Sequence, residues 1–180
     1  MAALPVGLTA ACKRRRTPAT GPGIVEQRTR DNGRTFTAHQ WDAVDAACSR
    51  LIPSDDGEPG AHEARAVNYI DAQLALPDFA GLRKMFEAGL MQMDRLCNGR
   101  SFASASTTEQ DAVLRRMERG VALGRRRSSA RFFRVLLTFS VEGFLCDPVY
   151  GGNHGKAGWR FIGFEPRPPR PRRPYRSSTA

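Results

Sequence analysis

The chain has 180 residues, 41% of them hydrophobic, with a formal net charge of +10, which suits one small core and excludes a second domain of ordinary size. The charge sits mainly at the ends: seven Lys or Arg against two acids in residues 1–34, five against one in residues 165–180, and near balance between them. A nucleic-acid reader carries its positive charge on the folded surface, so this distribution argues against that class for the middle of the chain.

Residues Ala2 to Ala11, AALPVGLTAA, are apolar and are followed by Cys12 and Lys13-Arg14-Arg15-Arg16. The charge lies on the wrong side of the apolar stretch for a secretory signal as written. Leu8-Thr9-Ala10-Ala11-Cys12 faintly resembles a lipoprotein processing site, and a disordered leader over residues 1–34 is the simpler reading.

Thr37 and Gln40 form a T-x-x-Q capping box, after which Trp41, Val44, Ala47, Cys48 and Leu51 recur at helical spacing as far as Pro53. This predicts a first helix over 38–52. Ser54 to Gly60 is a polar turn, and Ala64, Val67, Tyr69, Ile70 and Leu74 support a second helix closed by Pro77. Asp78 is the expected cap of a third helix, whose face of Leu82, Met85, Phe86, Leu90, Met93, Leu96 and Cys97 ends at Asn98-Gly99. Thr107 with Gln110 repeats the capping pattern and opens a fourth, with Val113, Leu114, Met117 and Val121 inward.

From Phe132 to Phe144 the apolar residues cover nearly the whole helical circumference, so the fifth helix is expected at the centre of the others, capped by Ser128 or Ser129 and stopped at Asp147-Pro148. Tyr150 to Gly158, with Gly151, Gly152, Gly155 and Asn153, reads as a compact surface loop, and Trp159, Phe161, Ile162 and Phe164 return it to apolar surface. No alternating strand pattern competes. The predicted fold is all-α: a bundle of about five helices over residues 35–164 with a C-terminal glycine-rich loop and a short aromatic segment. Residues 165–180, with Pro166, Pro168, Pro169, Pro171 and Pro174 among five arginines, read as a disordered tail, with contact to anionic lipid as the functional alternative.

Reactive chemistry is sparse. No glycine fingerprint lies between a strand and a helix, no CxxCH is present, and the Gly151-Gly152-Asn153-His154-Gly155 loop follows a helix instead of leading one, so no cofactor is expected in this chain. His39, His62 and His154 fall in separate segments without Cys or carboxylate at metal-ligand spacing and read as surface residues. Asp55, Asp56 and Glu58 are explained by a polar turn rather than a catalytic acid pair. Cys48 and Cys97 lie on apolar faces and are expected as buried thiols, with a bridge between them as the alternative. Cys146, at the exit of the fifth helix, is the accessible one.

Phe132-Phe133, Glu142-Gly143-Phe144, Asp147-Pro148, Tyr150-Gly151-Gly152-Asn153 and Gly158-Trp159 followed by Ile162-Gly163-Phe164 resemble the C-terminal signature of the gluconate 2-dehydrogenase subunit 3 family. Upstream, Leu51-Ile52-Pro53, Pro59-Gly60-Ala61, Tyr69-Ile70-Asp71 and Phe86-Glu87-Ala88-Gly89-Leu90 extend the resemblance to about residues 36–164. It implies a non-catalytic small subunit that binds, matures and helps export a large FAD-bearing sugar or sugar-acid dehydrogenase, which passes electrons to a cytochrome c subunit. It also implies an apolar N-terminus that is the end of a twin-arginine signal, and with it a periplasmic location and membrane association through the complex; without such a signal the location is cytoplasmic. The partner surface it implies is Cys146, Tyr150, Gly151, Gly152, Asn153 and Trp159, with the exposed sides of the first two helices; Cys146 would join the flavoprotein by a disulfide, and Trp159 would serve either that interface or the chain's own core. A basic adaptor binding nucleic acid or anionic membrane through its tails is the alternative from another class.

Overall fold

The computed structural model describes residue 30, residues 33–120 and residues 126–167. The expected leader and Pro/Arg tail lie almost wholly outside these residues, as do Cys12 and the inward place given to Val121. The architecture is all-α: α1 Ala38–Leu51, α2 Ala66–Leu74, α3 Ala80–Leu96, α4 Thr107–Glu118, α5 Arg126–Leu145 and α6 Ala157–Phe161. No strand forms among the described residues.

The capping box behaves as the sequence predicts. Gln40 N donates to Thr37 Oγ1 and Thr37 N to Gln40 Oε1, so two orphan amides at the start of α1 are satisfied reciprocally. Two other caps differ. Asp78 lies in a short 3₁₀ turn, Pro77–Phe79, and α3 starts after Phe79 with no side-chain cap. At α4 the cap is Ser106, one residue before Thr107, because its Oγ accepts from Glu109 N. In a run of Ser and Thr, spacing alone does not select among hydroxyls.

α5 is the axis of the bundle and packs against α1, α2, α3, α4 and α6. It begins before Ser128 and Ser129, so neither caps it, and Ser129 is buried inside it. Nor is it enclosed all round: Phe132, Leu136, Phe139 and Phe144 face inward, whereas Leu137 and Val141 are 36% and 40% exposed. The core centres on Phe86, whose ring meets Phe132 edge-on at 5.3 Å and stacks with Phe139 at 6.1 Å. Gly89 makes this approach sterically feasible, since a Cβ there would lie 2.3 Å from the Phe132 ring. Two elements of the sequence signature, Phe86 to Leu90 and Phe132-Phe133, are thereby one contact.

Asp71 ties the entry of the chain to α2. Its fully buried carboxylate accepts from the backbone amides of Arg34, Thr35 and Phe36 at 2.7, 2.7 and 3.0 Å. Three amide donors make burial of this acid tolerable, since a buried charge must be met by hydrogen bonds.

Candidate functional site

The site grows from the C-terminal end of α5. Pro148 cannot continue the helix, and the Asp147 carboxylate accepts from Val149 N at 3.1 Å, which folds residues 148–150 into a 3₁₀ turn. A helix end leaves carbonyls without intrahelical donors, and here the following loop supplies them. Gly143 O accepts from Asn153 N at 2.7 Å, Leu145 O from Trp159 Nε1 at 2.7 Å, and Cys146 O from Asn153 Nδ2 at 2.8 Å. Asn153 Oδ1 in turn accepts from Gly158 N at 2.8 Å, inside the first turn of α6. The loop lies so close to α5 that a Cβ on Gly152 or Gly158 would overlap the carbonyl oxygen of Gly143 or Phe144.

The sequence-predicted site residues therefore divide. Gly152, Asn153 and Trp159 are buried within the fold, which corrects the reading of Tyr150 to Gly158 as a surface loop throughout: polar residue types suggested exposure, but the hydrogen bonds of Asn153 make its burial stable. Trp159 serves the chain's own packing. The aromatic segment that contains it curls into α6, too short a helix to show a period in sequence. Cys146, Tyr150 and Gly151 are half-buried, and the first two line a cleft.

That cleft, of about 710 Å³, runs between α2 and the end of α5. Its floor holds Tyr69, Leu76, Phe79, Val141 and Leu145, and its polar lining includes Gln73, Asp78, Glu142 and Asp147. Tyr69 and Phe79 both meet the buried Phe139 ring edge-on, at 6.3 and 6.0 Å, so the aromatic floor is fixed from below. Tyr69 donates to Glu142 Oε2 at 2.9 Å; burial first, then that bond and the charge of Glu142, push the phenol well above its ordinary range and keep it neutral. Sequence reasoning placed Tyr69 and Glu142 in signature elements but had no means of pairing them, because the groove exists only once α2 lies against α5.

A second surface follows α6. Phe161, Ile162 and Phe164 are about half exposed, although Phe161 also touches Phe144 and Phe164 touches Trp159, with ring centroids 5.8 and 5.3 Å apart. The exposed apolar surface near Trp159 is thus formed by Phe161, Ile162 and Phe164 and not by Trp159 itself. A third, polar cleft of about 640 Å³ lies between the Ser54 to Pro59 turn and His154, Gly155 and Arg160. Burial, with a smaller contribution from the charge of Arg65, holds His154 below its usual range.

The remaining reactive groups are engaged in structure. Cys48, Cys97 and Cys146 are free thiols. Burial pushes Cys48, which lies 3.2 Å from Ser140 Oγ, and Cys146 up to about 12, so both are protonated at neutral pH and poor nucleophiles. His39 pairs with Asp94 and His62 with Asp45, at 2.8 and 2.7 Å, and both histidines are exposed. Arg50 forms a two-pronged bridge to Asp111 that joins α1 to α4. Among the described residues no three His, Cys, Asp or Glu are arranged to hold a metal, and no helix is long and apolar enough to cross a membrane.

The family model for gluconate 2-dehydrogenase subunit 3 matches residues 38–166. No curated protein and no solved structure matches the chain. The matched stretch starts at the first residue of α1, takes in all six helices and the loop that seals α5, and ends beyond Phe164. The chain belongs to the gluconate 2-dehydrogenase subunit 3 family, and so to the subunits of a dehydrogenase complex.

Proposed function

We propose that this chain is the non-catalytic small subunit of a flavin-dependent sugar or sugar-acid dehydrogenase complex. It binds the large FAD-bearing subunit, assists its maturation, and accompanies it through twin-arginine export to the periplasm. Electrons pass from the partner's flavin to a cytochrome c subunit, and the assembly meets the membrane through the complex. Family membership supports this reading, and so does the engagement of Cys48 and Cys146 in packing and of His39 and His62 in surface pairs.

The observation that carries it is the exposed run Phe161, Ile162 and Phe164, which lies within the family-matched stretch and shows about half of each side chain to solvent. Clustered aromatic and aliphatic side chains on a small domain mark a surface that is covered in an assembly. Co-expression with an FAD-bearing dehydrogenase subunit tests it: the two should co-purify, and Ile162→Ser should weaken retention by roughly tenfold, the cost of one interface anchor. A large subunit that folds, binds FAD and is exported equally well without this chain would overturn the reading.

A further inference from the structure

We propose that the end of the bundle where α4 passes into α5 is a contact surface for a bilayer of acidic phospholipid. The near balance of charge over residues 35–164 conceals a segregation. Residues 115–134 hold eight arginines against one acid, Glu118, and the rest of that region holds eight Lys or Arg against fourteen acids. Four of the eight, Arg116 and Arg119 at the end of α4 and Arg131 and Arg134 in the first half of α5, are exposed. Among the described residues none of these four guanidinium groups has an ion pair or a hydrogen bond, whereas Arg50 and Arg100 are each paired with a carboxylate. The charge of Arg115, in the same turn as Arg116, acts on Asp111, so Arg115 is not counted with them.

α4 and α5 are successive helices packed against each other, which brings the last turn of one and the first turns of the other to the same end of the bundle. At ~1.5 Å of rise per residue, Arg131 and Arg134 stand about 8 and 12 Å along α5 from its first residue. On α3, whose Gly89 meets Phe132, the exposed Glu87 has the exposed Lys84 three residues before it on the same face, so that flank adds no net negative charge. Clustered cations without counter-charges raise the local potential, and the guanidinium fork matches phosphate oxygens in pairs.

A bilayer fits this layout better than a nucleic acid does. Phe132 and Phe133, which stand between Arg131 and Arg134, are buried, so they offer a base nothing to stack upon. The acids of the groove are distant: Glu142 lies about 17 Å further along α5 than Arg131, twice the screening length of about 8 Å at physiological salt. A plane touched by the basic end leaves them out of range. The inference goes beyond the docking of a large subunit and does not need it. Phe161 touches Phe144, next to the last residue of α5, so the exposed apolar run lies at the opposite end of that helix and both surfaces can be occupied at once.

The test is co-sedimentation of the full chain with vesicles of phosphatidylcholine, alone or mixed with phosphatidylglycerol. Binding should require phosphatidylglycerol and be largely lost in about 0.5 M salt. Each cation near such a surface is worth about fivefold in partitioning, so Arg116, Arg119, Arg131 and Arg134 together changed to Gln should weaken it by at least about thirtyfold. Arg170, Arg172, Arg173 and Arg176 changed to Gln remove the same charge from the tail and should cost less than about threefold. An unchanged melting temperature shows that the first variant is folded; the pairs Arg116 with Arg119 and Arg131 with Arg134, changed separately, should each cost about tenfold and serve if it is not. Co-purification of a large subunit should be the same for all these variants. Absence of co-sedimentation, equal binding to phosphatidylcholine alone, a loss as large in the tail variant, or tighter binding to a duplex oligonucleotide through the same four arginines would overturn the proposal.

Discussion

The Asn153 side chain donates to the carbonyl oxygen of Cys146 at 2.8 Å, which joins the end of α5 to the loop that follows it. The same amide accepts from Gly158 N, so one residue holds both the end of one helix and the start of the next. Asn153→Ala should leave a buried carbonyl and a buried amide without partners. A loss of about 2–4 kcal/mol in urea unfolding is expected, at roughly 1–3 kcal/mol per unsatisfied group with partial relaxation. An effect below about 1 kcal/mol would show that this loop is not a structural seal.

Gly89→Ala places a methyl group 2.3 Å from the Phe132 ring, well inside contact distance. Overpacking of this kind costs about 1–3 kcal/mol, and the strain belongs to one partner. In thermal unfolding, Phe132→Leu added to Gly89→Ala should therefore cost less than the sum of the two single changes, a non-additivity that neighbouring residues produce.

Trp159→Ala and Ile162→Ser should behave in opposite ways. Trp159 is 6% exposed, and its ring nitrogen is bonded to Leu145 O, so truncation should cost about 3–5 kcal/mol in the isolated chain. Ile162 is 53% exposed, and its replacement should leave the melting temperature almost unchanged while reducing co-purification of the large subunit. Melting temperature and pull-down yield measured on both variants separate the two roles.

Acid should weaken the fold partly through Glu63. Its carboxylate accepts from Ser54 Oγ and Gly60 N, and the Ser54 bond above all holds it below its ordinary value of 4.5. A depressed folded-state value contributes stability that is present above about pH 4.5 and is lost as pH falls through the lower folded value. His154, held below 6.5, acts in the same direction between its ordinary and its folded value, because protonation favours the unfolded chain. Asp45 opposes both, its value being raised by burial. Glu63→Gln should therefore lose stability relative to the parent at pH 6 and converge with it as pH falls below the folded-state value of Glu63, as read from urea midpoints.

Cys48 and Cys146, with values near 12, should resist alkylation by iodoacetamide at pH 7.5 in the native chain and react fully in denaturant. Peptide mapping distinguishes them from Cys12. Rapid native labelling of Cys146 would indicate an open thiol suited to an intersubunit disulfide; its protection would mean that a bridge requires the helix end to loosen first.

The helices were legible in the sequence because their signals are local. Thr37 with Gln40, Pro53, Pro77 and Asp147-Pro148 each act within a turn of their own position. The features that were not legible depend on distant partners. Asn153 reads as a surface residue until the carbonyls of α5 are brought to it, and Ser106 competes with two threonines for one cap. The exposed stripe of Leu137 and Val141 was hidden by a helix apolar on every side, because only the bundle determines which side is left outside. The groove is a product of α2 meeting α5, and periodicity describes one helix at a time.

Asp71 has a consequence for how the chain can be trimmed. Among the described residues, the bonds that fasten the incoming backbone to Asp71 come from the amides of Arg34, Thr35 and Phe36, so a peptidase cut before Arg30 leaves these three intact. Shortening the front of the polypeptide upstream of that point therefore spares the clasp of three amides on one acid, which fixes where the described backbone enters the bundle.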